Sequence, residues 1–213
     1  MFMEMKTIKD ILNSNRVEFK PGIISIIGKT GTQKEEFALY LANIITNMRR
    51  NSLVYNYDTK TKITHIEQYF DNNIEYCKNS VINRIANDLE ISSLINLLNE
   101  LVSEVDDIKK SKKVVIANIS NIIDMMIAKS EDSDFVNLSF QVNTLIKESV
   151  PLLIANNIYL ILITDIKDEI SDKLPLHVQN EILATSYIYQ CNNVLILEKT
   201  EDDKLKIKIS KTV

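Results

Sequence analysis

The residues of this chain that are best suited to chemistry lie in one short stretch, Gly28 to Glu35, which reads GKTGTQKE. The apolar run IISII at 23–27 precedes it, and a segment with helical periodicity at 36–48 follows it. A strand, a glycine-bearing loop with a lysine and then a helix are typical of a phosphate-binding loop, whose pattern is G-x-x-x-x-G-K-[ST]. Gly28 and Lys34 have the spacing of that pattern, so Lys34 is the candidate phosphate-binding lysine.

Two positions of this loop depart from the pattern. Gln33 stands where a second glycine would let the backbone pass close to the phosphates. Glu35 stands where a hydroxyl would ligate Mg²⁺, and a carboxylate there repels phosphate oxygens. Glu35 also suits the first turn of a helix, where the dipole favours a negative charge without any ligand.

The stretch therefore predicts the remnant of a nucleotide-binding site without a catalytic residue. Its members are Gly28, Gly31, Thr32, Gln33, Lys34 and Glu35. No bound cofactor is expected. Weak binding of ATP or phosphate by the backbone N–H groups of 31–34 stays open as an alternative, because a helix N-terminus attracts anions.

The totals for the chain favour a cytoplasmic protein without a metal site. The 213 residues are 45% hydrophobic and carry a formal net charge of −4, so the chain as a whole does not attract nucleic acid. The two cysteines and two histidines do not have the spacing of zinc ligands. They are Cys77, Cys191, His65 and His177. No apolar run is long enough to span a bilayer, and the N-terminal residues lack a signal-peptide pattern.

Apolar runs alternate with segments of helical periodicity along the chain. Strands are predicted at 23–27, 53–58, 74–76, 114–117 and 158–163, and a closing hairpin at 194–198 and 204–209. Helices are predicted at 36–48, 62–70, 94–108 and 135–156, the last with Pro151 as a site for a kink. This alternation predicts an α/β fold, with a mainly parallel sheet and helices on both faces.

Two aspartates stand at the ends of predicted strands. Asp58 and Asp165 are predicted to end adjacent strands at the ligand-binding edge of the sheet, where two carboxylates could hold a cation. A solvated strand end is the simpler interpretation of each. The sequence leaves both interpretations open.

The chain resembles the RecA/RadA recombinase core, and within it the archaeal RadA paralogues and KaiC-like single-domain ATPases. The stretch PGIISIIGKTGTQK at 21–34 is similar to the family's G-x-I-T-x-x-x-G-x-x-G-x-G-K, with the glycine spacings kept. TIKDIL at 7–12 looks like the segment that leads into the family core, and the order of later elements fits down to the closing hairpin. The resemblance implies a RecA-like P-loop fold in one domain over 1–213, with a leading segment at 1–20 and no helix-hairpin-helix domain.

The departures from the family fall on the positions that carry its catalysis. The family's second strand ends in D-T-E, whose glutamate activates the attacking water, whereas the third residue here is Lys60. The Walker B strand ends in an aspartate on the Mg²⁺ side, where this chain has Ala117, with Asn118 next to it as a weak substitute. The T-N-Q nucleotide switch reads TDI and ends at Ile166. With the two changes in the loop, these departures imply that the fold is kept without ATP hydrolysis.

Direct DNA binding is expected to be weak. The two loops that carry the family's DNA-binding groups read KSEDSD at 129–134 and KDEISDK at 167–173, and both would repel phosphate. The last strand carries a lysine stripe formed by Lys204, Lys206, Lys208 and Lys211, of which the first three are the candidate DNA contacts. Lysines on an edge strand also block unwanted strand pairing, which is the alternative without DNA. Further basic residues cluster at 49–50 and 109–113.

The resemblance implies a non-catalytic RadA/RecA paralogue that acts as an interaction or accessory subunit in homologous recombination and DNA repair. Its expected partner is a RecA/RadA-type recombinase or another paralogue, because subunits of this family assemble side by side. The alternatives are a weak or unorthodox ATPase that uses Lys34, with Asp58 as a further candidate, and a KaiC-like regulatory scaffold outside DNA repair. No membrane is expected among the partners.

Overall fold

The structure, a computed structural model, describes ten parts of the chain. They are residues 17–29, 31–46, 53–57, 81–84, 91–103, 112–122, 124, 135–166, 190–199 and 205–212. The strands in these parts are β1 (Gly22–Lys29), β2 (Leu53–Tyr57), β3 (Val81–Arg84), β4 (Lys113–Asn118), β5 (Ile158–Ile166), β6 (Asn193–Lys199) and β7 (Leu205–Thr212). The long helices are α1 (Lys34–Thr46), α2 (Ile91–Ser103) and α3 (Phe135–Ala155).

The strands form one sheet in the order β3-β2-β4-β5-β1-β6-β7. Each described strand is parallel to its neighbours except for β6 and β7, which form an antiparallel hairpin. β5 therefore lies between β1 and β4 and pairs with both. Because parallel strands end at the same edge of a sheet, the carboxyl ends of β1, β5 and β4 are neighbours.

The central strands β1, β4 and β5 are buried on both faces, which is why their sequences read as nearly continuous apolar runs. Successive side chains of a strand point to opposite faces and so enter two separate cores. Ile24 and Ile26 pack with α1 on one face, and Ile23 and Ile27 pack with α2 and α3 on the other. The two cores hold α1 and β4 in place around the loop that follows β1.

The end of α3 is set by two asparagines. The helix continues past Pro151 to Ala155, and the side-chain amide of Asn156 then donates a 2.8 Å hydrogen bond to the carbonyl of Leu152. Asn157 has a φ of 55°, the left-handed conformation that commonly closes a helix. This tight turn leads directly into β5.

The structure confirms the coarse prediction of an α/β fold with a mainly parallel sheet, helices on both faces and a closing hairpin. β3 was not predicted, because its four residues mix apolar and polar side chains and only its pairing with β2 defines it. The strand predicted at 74–76 and the helix predicted at 62–70 lie outside the described residues. The described helices include no segment with the length and hydrophobicity of a membrane span.

Candidate functional site

The loop after β1 meets the ends of β4 and β5 at the carboxyl edge of the sheet. We call the residues that interact there the loop site. Its members are Gly28, Gly31, Thr32, Gln33, Lys34, Glu35, Asn118 and Asp165. The strand order creates this meeting, because β5 separates β1 from β4 and places Asp165 directly opposite Gly28 in the parallel register.

Gly28 is required by close packing. A Cβ at Gly28 would lie 2.6 Å from Oγ1 of Thr32 and 2.8 Å from the carbonyl oxygen of Leu197 on β6. Thr32 is held there by a turn, since its hydroxyl and its N–H both donate to the carbonyl of Lys29, at 2.7 and 3.2 Å. Any side chain at Gly28 would push this turn away from β6.

Gly31 and Gln33 are distinguished by backbone conformation. Gly31 has a φ of +82° and nothing within 4 Å of where its Cβ would lie, so conformation alone favours glycine. Gln33 has a φ of 55°, in the left-handed region that costs a side chain about 1–2 kcal/mol. The carbonyl of Gln33 accepts the first hydrogen bond of α1, from Phe37 N–H at 3.0 Å. The backbone at position 33 thus keeps a conformation suited to glycine, although glutamine stands at this position of the phosphate-loop pattern.

The ammonium group of Lys34 points into the loop and is bound by the protein itself. Its side chain is only 2% exposed, and Nζ lies 2.6 Å from Oδ1 of Asp165. Nζ also donates to the carbonyl of Lys29 at 2.7 Å and to Oγ1 of Thr32 at 3.4 Å. An ammonium has three protons to donate, so these contacts use its full capacity.

Asp165 is fixed by its own backbone. Its N–H donates a 2.9 Å hydrogen bond to the hydroxyl of Ser120, which is buried at the start of the helical turn after β4. The Asp165 carboxylate is 20% exposed. No sequence pattern indicates the role of Ser120. The interpretation of Asp165 as a solvated strand end is wrong, because the carboxylate pairs with Lys34. The prediction that Asp58 and Asp165 end adjacent strands is also wrong, because β4 separates β2 from β5, and a cation shared between them is unsupported. Residue 58 itself lies outside the described parts.

Glu35 interacts with the end of β4. Oε1 of Glu35 accepts a 2.9 Å hydrogen bond from the side-chain amide of Asn118. Oδ1 of Asn118 in turn accepts from the N–H of Asn121 at 3.1 Å, as in a helix N-cap. Asn118 is buried, and both ends of its amide have partners. Glu35 is therefore a partner in a specific polar contact as well as a first-turn residue.

The structure corrects the residue that was predicted to end β4 at the site. Ala117 is fully buried in the core with α2 and α3, on the opposite face of the sheet from Glu35. Asn118 is the β4 residue that reaches the loop, because side chains alternate along a strand. Ile166 likewise packs against the core of α2 and α3, and Asp165 is the β5 residue at the site. Lys60 lies outside the described residues.

The candidate DNA contacts on β7 are surface residues of a hairpin. Lys206 and Lys208 are exposed, and Lys208 forms a 2.6 Å ion pair with Glu198 on β6. The hydrogen bond from Lys208 holds the pKa of the Glu198 carboxyl below its ordinary value, and the charges of Lys208, Lys206 and Lys29 act in the same direction. Lys204 lies outside the described residues.

Two lysines of the basic cluster at 109–113 have structural partners. Lys112 donates to the carbonyl of Ile45 near the C-terminus of α1, at 2.8 Å, and Lys113 donates to the carbonyl of Leu101 near the C-terminus of α2, at 2.6 Å. Cations at helix C-termini interact favourably with the helix dipole. These contacts give both residues a role that involves no nucleic acid.

No protein-family model matches the chain, and no curated protein matches it in sequence. A function must therefore be inferred from the geometry at the carboxyl edge of the sheet. There, Lys34 of the loop forms an ion pair with Asp165 on β5, and Glu35 accepts a hydrogen bond from the side-chain amide of Asn118 on β4.

Proposed function

We propose that this chain is a RecA-like P-loop protein that does not hydrolyse ATP and serves as an interaction subunit for a RecA/RadA-type recombinase or another paralogue. Its role would lie in homologous recombination and DNA repair. The strand order supports the fold assignment, because a lysine-bearing loop follows β1 and a further strand, β5, separates β1 from β4. The location of the loop at the carboxyl edge is typical of nucleotide sites in α/β proteins.

The contact between Glu35 and Asn118 carries the proposal. In P-loop NTPases, a Ser or Thr hydroxyl at the first position and an aspartate at the second hold Mg²⁺. Here the first position has a carboxylate acceptor and the second an amide donor, at 2.9 Å. The two residues satisfy each other, and an amide carries no charge with which to hold the metal. Loss of Mg²⁺ binding removes the ion that would bridge the nucleotide phosphates.

The intact strands and cores support a role in protein–protein interaction. The buried strands and both cores are intact around a site in which Lys34 is paired with Asp165 and Glu35 with Asn118. In the family that the sequence resembles, one subunit completes the nucleotide site of its neighbour. A subunit without hydrolysis can still supply such a surface, and fold-level similarity alone does not name the partner.

The weak ATPase is the second candidate, and one observation favours it. The left-handed Gln33 preserves the shape of the loop, and the backbone N–H groups at the start of α1 remain a site that attracts anions. Its hallmark would be ATP turnover that depends on Lys34. A regulatory scaffold outside DNA repair is the third candidate.

Nucleotide titration and turnover test the proposal. We expect isothermal titration with Mg²⁺–ATP to show no tight binding, and phosphate release to stay at the level of a protein-free control. Turnover that disappears in Lys34→Ala would overturn the proposal in favour of the ATPase. Co-purification of a recombinase from native extract would support the recombination role. If a recombinase and paralogues from the same source do not associate with the purified chain, the scaffold becomes the better account.

A further inference from the structure

We infer that the carboxylate of Asp165 occupies the place of a phosphate at the loop lysine and so closes a latent site for polyphosphate anions. The inference rests on the proposed function for the identity of the loop, and it adds the residue that controls whether an anion can enter. Asp165 is thus an autoinhibitory residue: it binds no ligand itself but competes with one.

The first support is the complete pairing of Lys34. Its three acceptors, Asp165, Lys29 and Thr32, are all internal, and the side chain is 2% exposed. An incoming phosphate can bind this ammonium only by displacing one of them. The contact to Asp165 is a charge-assisted hydrogen bond and is the shortest of the three.

The second support is the fixed position of Asp165. The residue lies within β5, opposite Gly28 in the register with β1, and its N–H is bound to the hydroxyl of Ser120. Its carboxylate is therefore held beside the loop by two strands and a buried serine. A rotation of the side chain would release Lys34, but it would leave the carboxylate next to the entering phosphate.

The third support is the charge of the loop site. Lys34 contributes one positive charge, and Asp165 and Glu35 contribute one negative charge each, which gives a net charge of −1. Asn118 is neutral and leaves the charge of Glu35 in place. Asp165→Asn would bring the net charge to zero without changing the shape of the side chain. Asp165→Asn with Glu35→Gln would bring it to +1.

Inorganic pyrophosphate is a suitable probe because it has the charge and size of a diphosphate group and no base or sugar. We expect isothermal titration of the full chain to show no resolvable binding in the wild type, and binding in Asp165→Asn at least about tenfold tighter than the weakest affinity that the titration detects. Asp165→Asn/Glu35→Gln should bind more tightly still. Asp165→Asn/Lys34→Met should lose the gain, and Glu148→Gln, which removes an exposed carboxylate on α3, should behave as the wild type.

Unchanged affinity in both charge-removing variants, with the circular dichroism and unfolding temperature retained, would overturn the inference. So would a gain that survives Lys34→Met. A second measurement needs no variant: ammonium protons of Lys34 should exchange slowly with water in NMR spectra, whereas those of the exposed Lys147 should exchange fast. Equally fast exchange would contradict the closed contact. Failure of a recombinase or paralogue to associate with the chain would contradict the proposed function and leave this inference untouched, so the two failures are distinguishable.

Discussion

Asn118 donates a 2.9 Å hydrogen bond to Glu35 and accepts a 3.1 Å hydrogen bond from the N–H of Asn121. One amide thus links the first turn of α1 to the helical turn after β4. An aspartate at position 118 would keep the second contact but would place a carboxylate against that of Glu35. The residue types at 35 and 118 therefore match each other as a pair.

Asn118→Asp should destabilise the protein by about 1–3 kcal/mol, because it replaces a buried hydrogen bond with two carboxylates in contact. Adding Glu35→Thr should recover most of the loss, since a hydroxyl can donate to the new carboxylate. Urea unfolding of the two single variants and the double variant measures the coupling between the sites. Asn99→Asp, on the exposed side of α2, is the control. Additive effects at 35 and 118 would show that the pair does not act as a unit.

Gly28→Ala should cost more stability than Gly31→Ala. The methyl group at position 28 would meet Thr32 and the backbone of Leu197 within 3 Å, so the loop must move, at about 1–3 kcal/mol or more. At position 31 there is open space, and only the left-handed φ opposes alanine, at about 1–2 kcal/mol. Thermal unfolding of the two variants gives the comparison. A larger loss for Gly31→Ala would mean that the packing against β6 is unimportant.

Charge reversal of Lys204, Lys206 and Lys208 should change DNA binding only slightly in absolute terms, because we expect the wild type to bind only weakly. A few lysine–phosphate contacts give a small affinity that salt screens strongly. Gel shifts at physiological salt should therefore show weak binding at most, and Lys204→Glu/Lys206→Glu/Lys208→Glu should abolish any that exists. Tight binding that survives the triple reversal would move the DNA contact to another surface and favour a direct DNA-binding role.

Lys208→Met should raise the pKa of Glu198 toward its ordinary value, because the hydrogen bond from Lys208 is the main cause of the lowered value. A lowered pKa in the folded state stabilises the protein at higher pH, and the contribution is lost as pH falls through that pKa. Lys208 and Glu198 are 50% and 41% exposed, so we expect the effect on unfolding temperature to be small. Carbon-detected NMR titration of the Glu198 carboxyl measures the pKa. A pKa that stays low in Lys208→Met but not in Lys206→Met would assign the effect to Lys206.

The position of the loop along the chain could be predicted from the sequence, but the side-chain contacts that the loop makes could not. The spacing of Gly28 and Lys34 after an apolar strand sufficed to predict a loop and a helix start, and the structure has both. The run Val114 to Ala117 was recognised as a strand, but its uniform apolar character gave no sign of which residues face the loop. A shift of one residue reverses the face of a side chain, and the β4 residue that contacts the loop is Asn118 rather than Ala117.

The sequence by itself determined the local elements: apolar runs long enough for buried strands, helices of the right period, and a glycine-bearing loop between β1 and α1. These depend on interactions between residues close in the chain. Only the tertiary structure decided that Lys34 meets Asp165 and that Glu35 meets Asn118, the latter 83 residues away. The order of β1, β5 and β4 in the sheet sets these contacts, and strand order is fixed by the joint packing of all elements. The contacts of Lys34 with Asp165 and of Glu35 with Asn118 therefore depend on the assembled sheet and could not be predicted from the sequence.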